Sequence, residues 1–111
     1  MWDAWAKTLG QPVWKLFGTY RSKVPLYGSG GWLSYSIPEL LKEEVTAYVK
    51  QGFRAVKIKV GSSEVATDYE RPVRVSEAIG PDIKIMMDAN QGMDFPSALS
   101  LARMTPALQI T

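Results

Sequence analysis

The sequence predicts an α/β protein in which three parallel strands alternate with helices. Two observations carry that expectation. The spacing of apolar residues switches repeatedly between a helical period and a strand period, giving the order helix, strand, helix, strand, helix, strand, helix. Only short breaks bearing Gly, Pro, Ser or Asp separate the segments, and strands joined through helices in this way form right-handed βαβ units. A third observation bounds the size: 111 residues allow one compact domain or a piece of a larger one. Parallel sheets are covered on both faces, and three strands are few for a self-sufficient one. The chain therefore reads as a small open sandwich or as the opening third of a barrel.

Trp2, Trp5 and Leu9 fall at i, i+3 and i+7 and mark a first helix, which Gly10 and Pro12 stop. Pro12-Val13-Trp14-Lys15-Leu16-Phe17 forms a second short piece that begins on proline and ends at Gly18. The two tryptophans suit packing against something upstream, or docking on the chain's own core. Residues 24–28, Val-Pro-Leu-Tyr-Gly, predict a short strand, which the loop Ser29-Gly30-Gly31-Trp32-Leu33-Ser34 leaves. Ser36 and Glu39 then match a capping box, and Leu41, Val45, Tyr48 and Val49 carry the helical stripe that Gly52 ends.

From Phe53 the period becomes 2: Arg54, Val56, Ile58 and Val60 share one strand face, Phe53, Ala55, Lys57 and Lys59 the other. Gly61-Ser62-Ser63 breaks this strand. A third helix follows within 64–79, with Pro72 placing its regular start near Glu70, and Gly80-Pro81-Asp82 stops it. Ile83 to Asn90 is the last strand, with Lys84, Met86, Asp88 and Asn90 on one face. Asp94 caps a final helix that carries Pro96 in its first turn and is closed by Pro106.

Composition narrows the chemistry. Thirteen Lys and Arg against eleven Asp and Glu, interspersed, leave +2, which is no nucleic-acid footprint. With no cysteine there is neither a disulfide framework nor a thiolate metal site, and with no histidine the usual general base is absent. Catalysis must use Lys, Asp, Glu, Tyr or Ser, and a metal should be a hard one held by oxygen. No run of about 18 apolar residues occurs, and the start is not a signal peptide. A soluble cytoplasmic protein with neither nucleic-acid nor membrane partners is expected.

Lys57 and Lys59 lie on one strand face, their Cα atoms roughly 6.6 Å apart, so each ammonium should raise the cost of charging the other. A lysine that sheds its proton easily is a plausible general base. The plainer alternative is two lysines solvating an open sheet face. Asp88 and Asn90 share a face at the C-terminal end of the next strand, where parallel α/β folds place ligand sites, although Asp-Ala-Asn-Gln-Gly also suits an ordinary turn. Neighbouring strands lie about 4.8 Å apart, so adjacency would bring the lysine pair and the carboxylate over one small space.

The phrases Phe53-Arg54-Ala55-Val56-Lys57-Ile58-Lys59-Val60-Gly61 and Met87-Asp88-Ala89-Asn90-Gln91-Gly92 resemble the second and third barrel strands of the enolase superfamily, in its mandelate racemase and muconate-lactonizing branch. Gly10-Gln11-Pro12-Val13-Trp14-Lys15-Leu16-Phe17-Gly18 is similar to that family's link from capping domain to barrel, and Tyr27-Gly28-Ser29-Gly30-Gly31 to the end of its first barrel strand.

The resemblance implies a partial (β/α)8 TIM barrel and Mg²⁺-assisted abstraction of the proton beside a carboxylate, through an enediolate, as in racemases, acid-sugar dehydratases and cycloisomerases. It implies Lys59 as base and Lys57 as the partner that tunes it and contacts the substrate carboxylate. Asp88 would be the first Mg²⁺ ligand, Asn90 a neighbour of the site, and Tyr27 and Ser29 substrate contacts. Residues 1–22 would be linker helices from a capping domain and 23–111 the N-terminal third of the barrel. The family's two further metal carboxylates and its second acid/base come from later strands. The expected whole is a homo-oligomer acting on a small carboxylate or acid sugar, and the 111 residues alone should be inactive. Two other readings stay open: a lysine forming a Schiff base with a carbonyl substrate, and a non-catalytic barrel piece that pairs with another chain through its open edge.

Overall fold

The structure, a computed structural model, describes residues 1–62 and 64–105. α1 (Trp2–Thr8) opens the chain, with Asp3 in its first turn and Lys7 in its last, 2.7 Å apart and each at the end of the helix dipole that favours its sign. α2 (Val13–Leu16) starts from Pro12 as its N-cap. The Trp2 ring centroid lies 5.5 Å from that of Trp5 and 4.7 Å from that of Phe17, so the two helices pack on each other. Trp2 and Trp5 stay half exposed, outside the core of the sheet. A radius of gyration of 17.7 Å, against about 13 Å for 100 compact residues, reflects this extended layout.

Three strands, β1 (Gly28–Ser29), β2 (Ala55–Lys59) and β3 (Lys84–Asp88), form one parallel sheet in that order. Ser29 pairs with Lys57, Lys57 with Met86, and Lys59 with Asp88. The helices between them are α3 (Ile37–Glu39), a π-helical segment (Leu40–Val45) continuing into α4 (Thr46–Lys50), then α5 (Val65–Ile79), with α6 (Phe95–Met104) after β3. Leu40 and Val45 from the π-helical segment and Val75 from α5 close over Val56, Ile58, Ile83 and Ile85. Each such buried aliphatic side chain stabilises the fold by about 1.5–3 kcal/mol. All of these sheet residues lie on one face, which leaves Lys57, Lys59, Met86 and Asp88 on the other.

The expected caps form. The Glu39 carboxylate accepts the Ser36 N–H at 2.8 Å, completing the capping box, and Asp94 accepts the Ser97 N–H at 2.9 Å. Four expectations need correction. The first strand is two residues long and begins at Gly28, because Pro25 has no N–H to give a ladder and β2 regularises only at Ala55. The helix after Ser36 widens into π geometry over Leu40–Val45, where the Thr46 hydroxyl donates to the Leu41 carbonyl, and Leu40, absent from the expected stripe, is fully buried. α5 starts at Val65 and carries Pro72 within it: the lost rung is tolerated because Asp68 and Arg71 before the break and Val75 after it are all buried and hold the helix on both sides. The last strand ends at Asp88, so Asn90 stands in the following turn at φ +46°. The expected stop at Pro106 lies outside the described residues.

Gly31 and Gly52 both adopt positive φ, +67° and +92°. A Cβ on Gly31 would come within 2.9 Å of the Ile58 Cα, whereas nothing lies within 4 Å of one on Gly52. Gly52→Ala should therefore cost only the dihedral term, about 1–2 kcal/mol. Gly31→Ala should cost at least about 1 kcal/mol more, for the backbone clash. Urea unfolding of the two variants checks this; equal losses would mean that the β1–β2 approach is not tight.

Candidate active site

Alternation along β2 and its register with β3 bring three ionisable groups into one cluster. The Lys59 Nζ donates to Asp88 Oδ2 at 2.8 Å, and the Lys57 Nζ lies 3.3 Å from the same oxygen. Lys59 also donates to the Asn90 Oδ1, while the Asn90 N–H donates to Asp88 Oδ1 at 3.0 Å. The Lys57 Nζ sits 5.4 Å from the centroid of the Tyr27 ring, a cation–π contact. The side chains of Lys57, Lys59 and Asp88 are 22%, 17% and 28% exposed, so solvent screens them only in part.

Hydrogen bonding from Lys59, from the Asn90 backbone and from Lys57 pulls the Asp88 carboxyl down to about 2, against the smaller opposing effect of burial. The Asp88 hydrogen bond pushes Lys57 above its ordinary value, with help from Tyr27 and in spite of partial desolvation. For Lys57 this runs against the expectation that each ammonium raises the cost of charging the other. That expectation weighed the repulsion of two like charges along one strand. Strand pairing sets a carboxylate between them, and the attraction of a close counter-ion outweighs repulsion between ammoniums on the same face.

The remaining expected residues fall around the cluster unevenly. Ser29 stands in register with Lys57, exposed, with its carbonyl accepting the Tyr48 hydroxyl at 2.9 Å. Tyr27 precedes β1 and reaches the cluster through its ring. Asn90 joins through the turn rather than through the strand face. An open hollow of about 650 Å³ lies beside Asp88, Asn90 and Gln91. The Asp88 oxygens suit a hard divalent cation. They offer one carboxylate, and among the described residues no three metal-binding side chains of the His, Cys, Asp or Glu types gather.

Sequence reasoning missed the charged residues behind the site. Asp68 accepts the N–H groups of Gly61 and Ser62 at 3.0 Å, and Arg71 donates to the carbonyls of Lys59, Gly31, Trp32 and Tyr35. The Glu44 carboxylate accepts the Gly31 N–H. Burial pulls the Arg71 guanidinium down from its ordinary value, and Asp68 partly offsets it. One signal was available: Asp68, Arg71, Pro72 and Val75 share a single helical face, but charges on a core stripe read as solvent-facing.

Comparison with known proteins places this geometry. Residues 40–111 match the family described as enolase C-terminal domain-like. Over 111 residues the chain is 37% identical to the arabinonate dehydratase of Saccharolobus solfataricus, covering 99% of itself and 30% of that enzyme. It is 33% identical to the L-Ala-D/L-Glu epimerase of Bacillus subtilis, covering 93% of itself and 27% of the enzyme. The crystal structure of the L-talarate dehydratase of Polaromonas sp. JS666, complexed with Mg and L-glucarate, superposes with a TM-score of 0.82 at 34% identity, over 96% of this chain and 30% of that one. The chain thus spans about 30% of the length of such relatives. No described helix is long and apolar enough to cross a membrane.

The cluster has a pH signature. Asp88 titrates lower in the folded chain than its ordinary 3.8, so its stabilising contribution is complete above 3.8 and fades as the pH falls towards about 2. Lys57 titrates higher when folded, so its contribution holds below 10.5 and fades above it. The unmodified chain should exceed Asp88→Asn in urea midpoint at neutral pH, and the two should converge near pH 2. A gap that does not change with pH would contradict this.

Proposed function

The chain belongs to the enolase superfamily, in its mandelate racemase and muconate-lactonizing branch, and from that premise we propose that it supplies the proton-abstracting part of a Mg²⁺-dependent reaction on a carboxylate substrate. The observation that carries this reading is the shared contact of Lys57 and Lys59 with Asp88 at the C-terminal end of adjacent parallel strands. The epimerase and dehydratase relatives favour a small carboxylate or acid sugar.

Lys59 is the proposed base, taking the proton α to the substrate carboxylate on its Nζ. An ammonium held by a carboxylate cannot accept a proton, so Lys59 must leave Asp88 and lose its own proton first. Asp88, fully ionised at neutral pH, is the proposed first ligand of Mg²⁺, and engaging it elsewhere releases both lysines. The ion, if bound by Asp88, would supply positive charge opposite the negative charge that builds on the oxygens of an enediolate. Lys57 lies against Tyr27 and is proposed to bind the substrate carboxylate. Asn90 orients Lys59, and Tyr27 and Ser29 border the substrate.

In this reading residues 1–22 are linker helices from a capping domain, and 23–111 form the N-terminal third of a barrel that takes about 250 residues. One carboxylate holds Mg²⁺ weakly, and the partner acid/base belongs to other strands, so the 111 residues alone are proposed to be inactive. The isolated chain with Mg²⁺ in D2O should exchange no α-proton from a panel of acid sugars and dipeptides, as followed by proton NMR; exchange that depends on Mg²⁺ would overturn that part.

Residue roles are tested by placing the 111 residues in the Saccharolobus dehydratase in place of the segment they match. Lys59→Met in that chimera should lower kcat at least about 10²-fold, the scale of a general base. Lys57→Met should mainly raise KM. A Lys59→Met chimera as active as its parent would contradict the assignment of the base.

A further inference from the structure

The β1–β2 ladder changes at the residue proposed as base. The Gly30 N–H bonds the Lys57 carbonyl as a parallel ladder requires, but the Lys59 N–H bonds the carbonyl of Gly31, where an unbroken ladder would use Gly30. The chain slips by one residue at the Gly30–Gly31 corner and then turns away. N–H and C=O of one strand residue point to the same neighbour, so the Lys59 carbonyl faces a strand that is no longer there. Arg71 fills that place. Its Nε donates to the Lys59 carbonyl at 3.2 Å, Nη2 to Gly31 at 3.1 Å and Trp32 at 2.8 Å, and Nη1 to Tyr35 at 2.8 Å.

We infer that Arg71 is a positioning residue: its guanidinium serves as the missing rung of the sheet, fixing the backbone of Lys59 and so aiming its ammonium at Asp88 rather than leaving that place to Lys57. The inference rests on the reading of Lys59 as base. Arg71 is 4% exposed and spends four donated hydrogen bonds on backbone carbonyls, and among the described residues it forms no ion pair with a carboxylate. A flat fork of donors can meet carbonyls converging from two segments; a single ammonium cannot. On the other side of the corner the Glu44 carboxylate takes the Gly31 N–H, a second anchor for the loop. The Lys59 side chain then starts from a peptide unit held at its N–H, at its carbonyl, and at the next N–H, which bonds the Asp88 carbonyl at 3.2 Å.

Zero-length coupling tests this without any metal or substrate. A water-soluble carbodiimide activates the Asp88 carboxylate, an uncharged neighbouring lysine amine displaces the urea, and the protein loses one water as an amide forms. Tandem mass spectrometry then separates Lys59–Asp88 from Lys57–Asp88 products. The unmodified chain should favour Lys59 over Lys57, and the urea-unfolded chain should show no preference. Arg71→Met and Arg71→Lys should each lower the Lys59-to-Lys57 ratio at least about threefold, since small misplacements sharply reduce effective concentration. Val75→Ala, a core truncation on the same helix, should lower stability and leave the ratio alone. If Arg71→Met does not fold, Arg71→Lys decides, with its circular dichroism matched to the unmodified chain. A ratio unchanged in folded Arg71→Lys, or shifted as much by Val75→Ala, overturns the role of Arg71 and leaves the site standing. No preference in the unmodified chain overturns both.

Discussion

One carboxylate from the neighbouring strand makes the lysine face of this sheet possible. Two ammonium groups on adjacent positions of one face repel each other, and among the described residues Asp88 is the carboxylate that meets both, with the Tyr27 ring beside Lys57 and the Asn90 Oδ1 beside Lys59 as neutral partners. Register places Asp88 beside Lys59 and one pair removed from Lys57, so a single oxygen serves both. The same contact that settles the charges also occupies the amine of the candidate base. On the reading proposed above, chemistry begins when Asp88 is drawn to another cation.

The opposite side of the sheet explains why the geometry holds at the end of β2, where strands usually fray. β1 supplies only two residues of ladder before the Gly30–Gly31 corner. Beyond it, side chains do the work of main chain: Arg71 for the carbonyls, Glu44 for the Gly31 amide, Asp68 for the amides of Gly61 and Ser62. Buried charges are costly unless each finds partners, and among the described residues no buried side-chain polar atom lacks one. Aliphatic burial holds the helices to the sheet, while this polar lattice sets where the loops leave it.

Much of this was readable from residues alone. The alternation of Val56-Lys57-Ile58-Lys59 allows only one strand face to be apolar there, and the Ser36–Glu39 and Asp94 caps are local chemistry that needs no tertiary context. The family resemblance rested on the same strand phrases, and the comparisons bear it out. What escaped was non-local. The extent of β1 depends on where β2 regularises, and the raised titration of Lys57 on a carboxylate 31 positions away that strand pairing alone brings near. Arg71 escaped because a charged residue on a helix is ordinarily at the surface, and only the missing rung beside Lys59 gives it a reason to be buried.

The convergence of Lys59 with Asp88 is tested most directly by carboxyl ¹³C NMR of Asp88 in the Lys59→Met chain. Loss of its closest hydrogen-bond donor should move the Asp88 titration from about 2 up towards 3.8, with the Asn90 N–H and, less strongly, Lys57 retaining part of the shift. An Asp88 midpoint that is the same with and without the Lys59 ammonium would contradict the account.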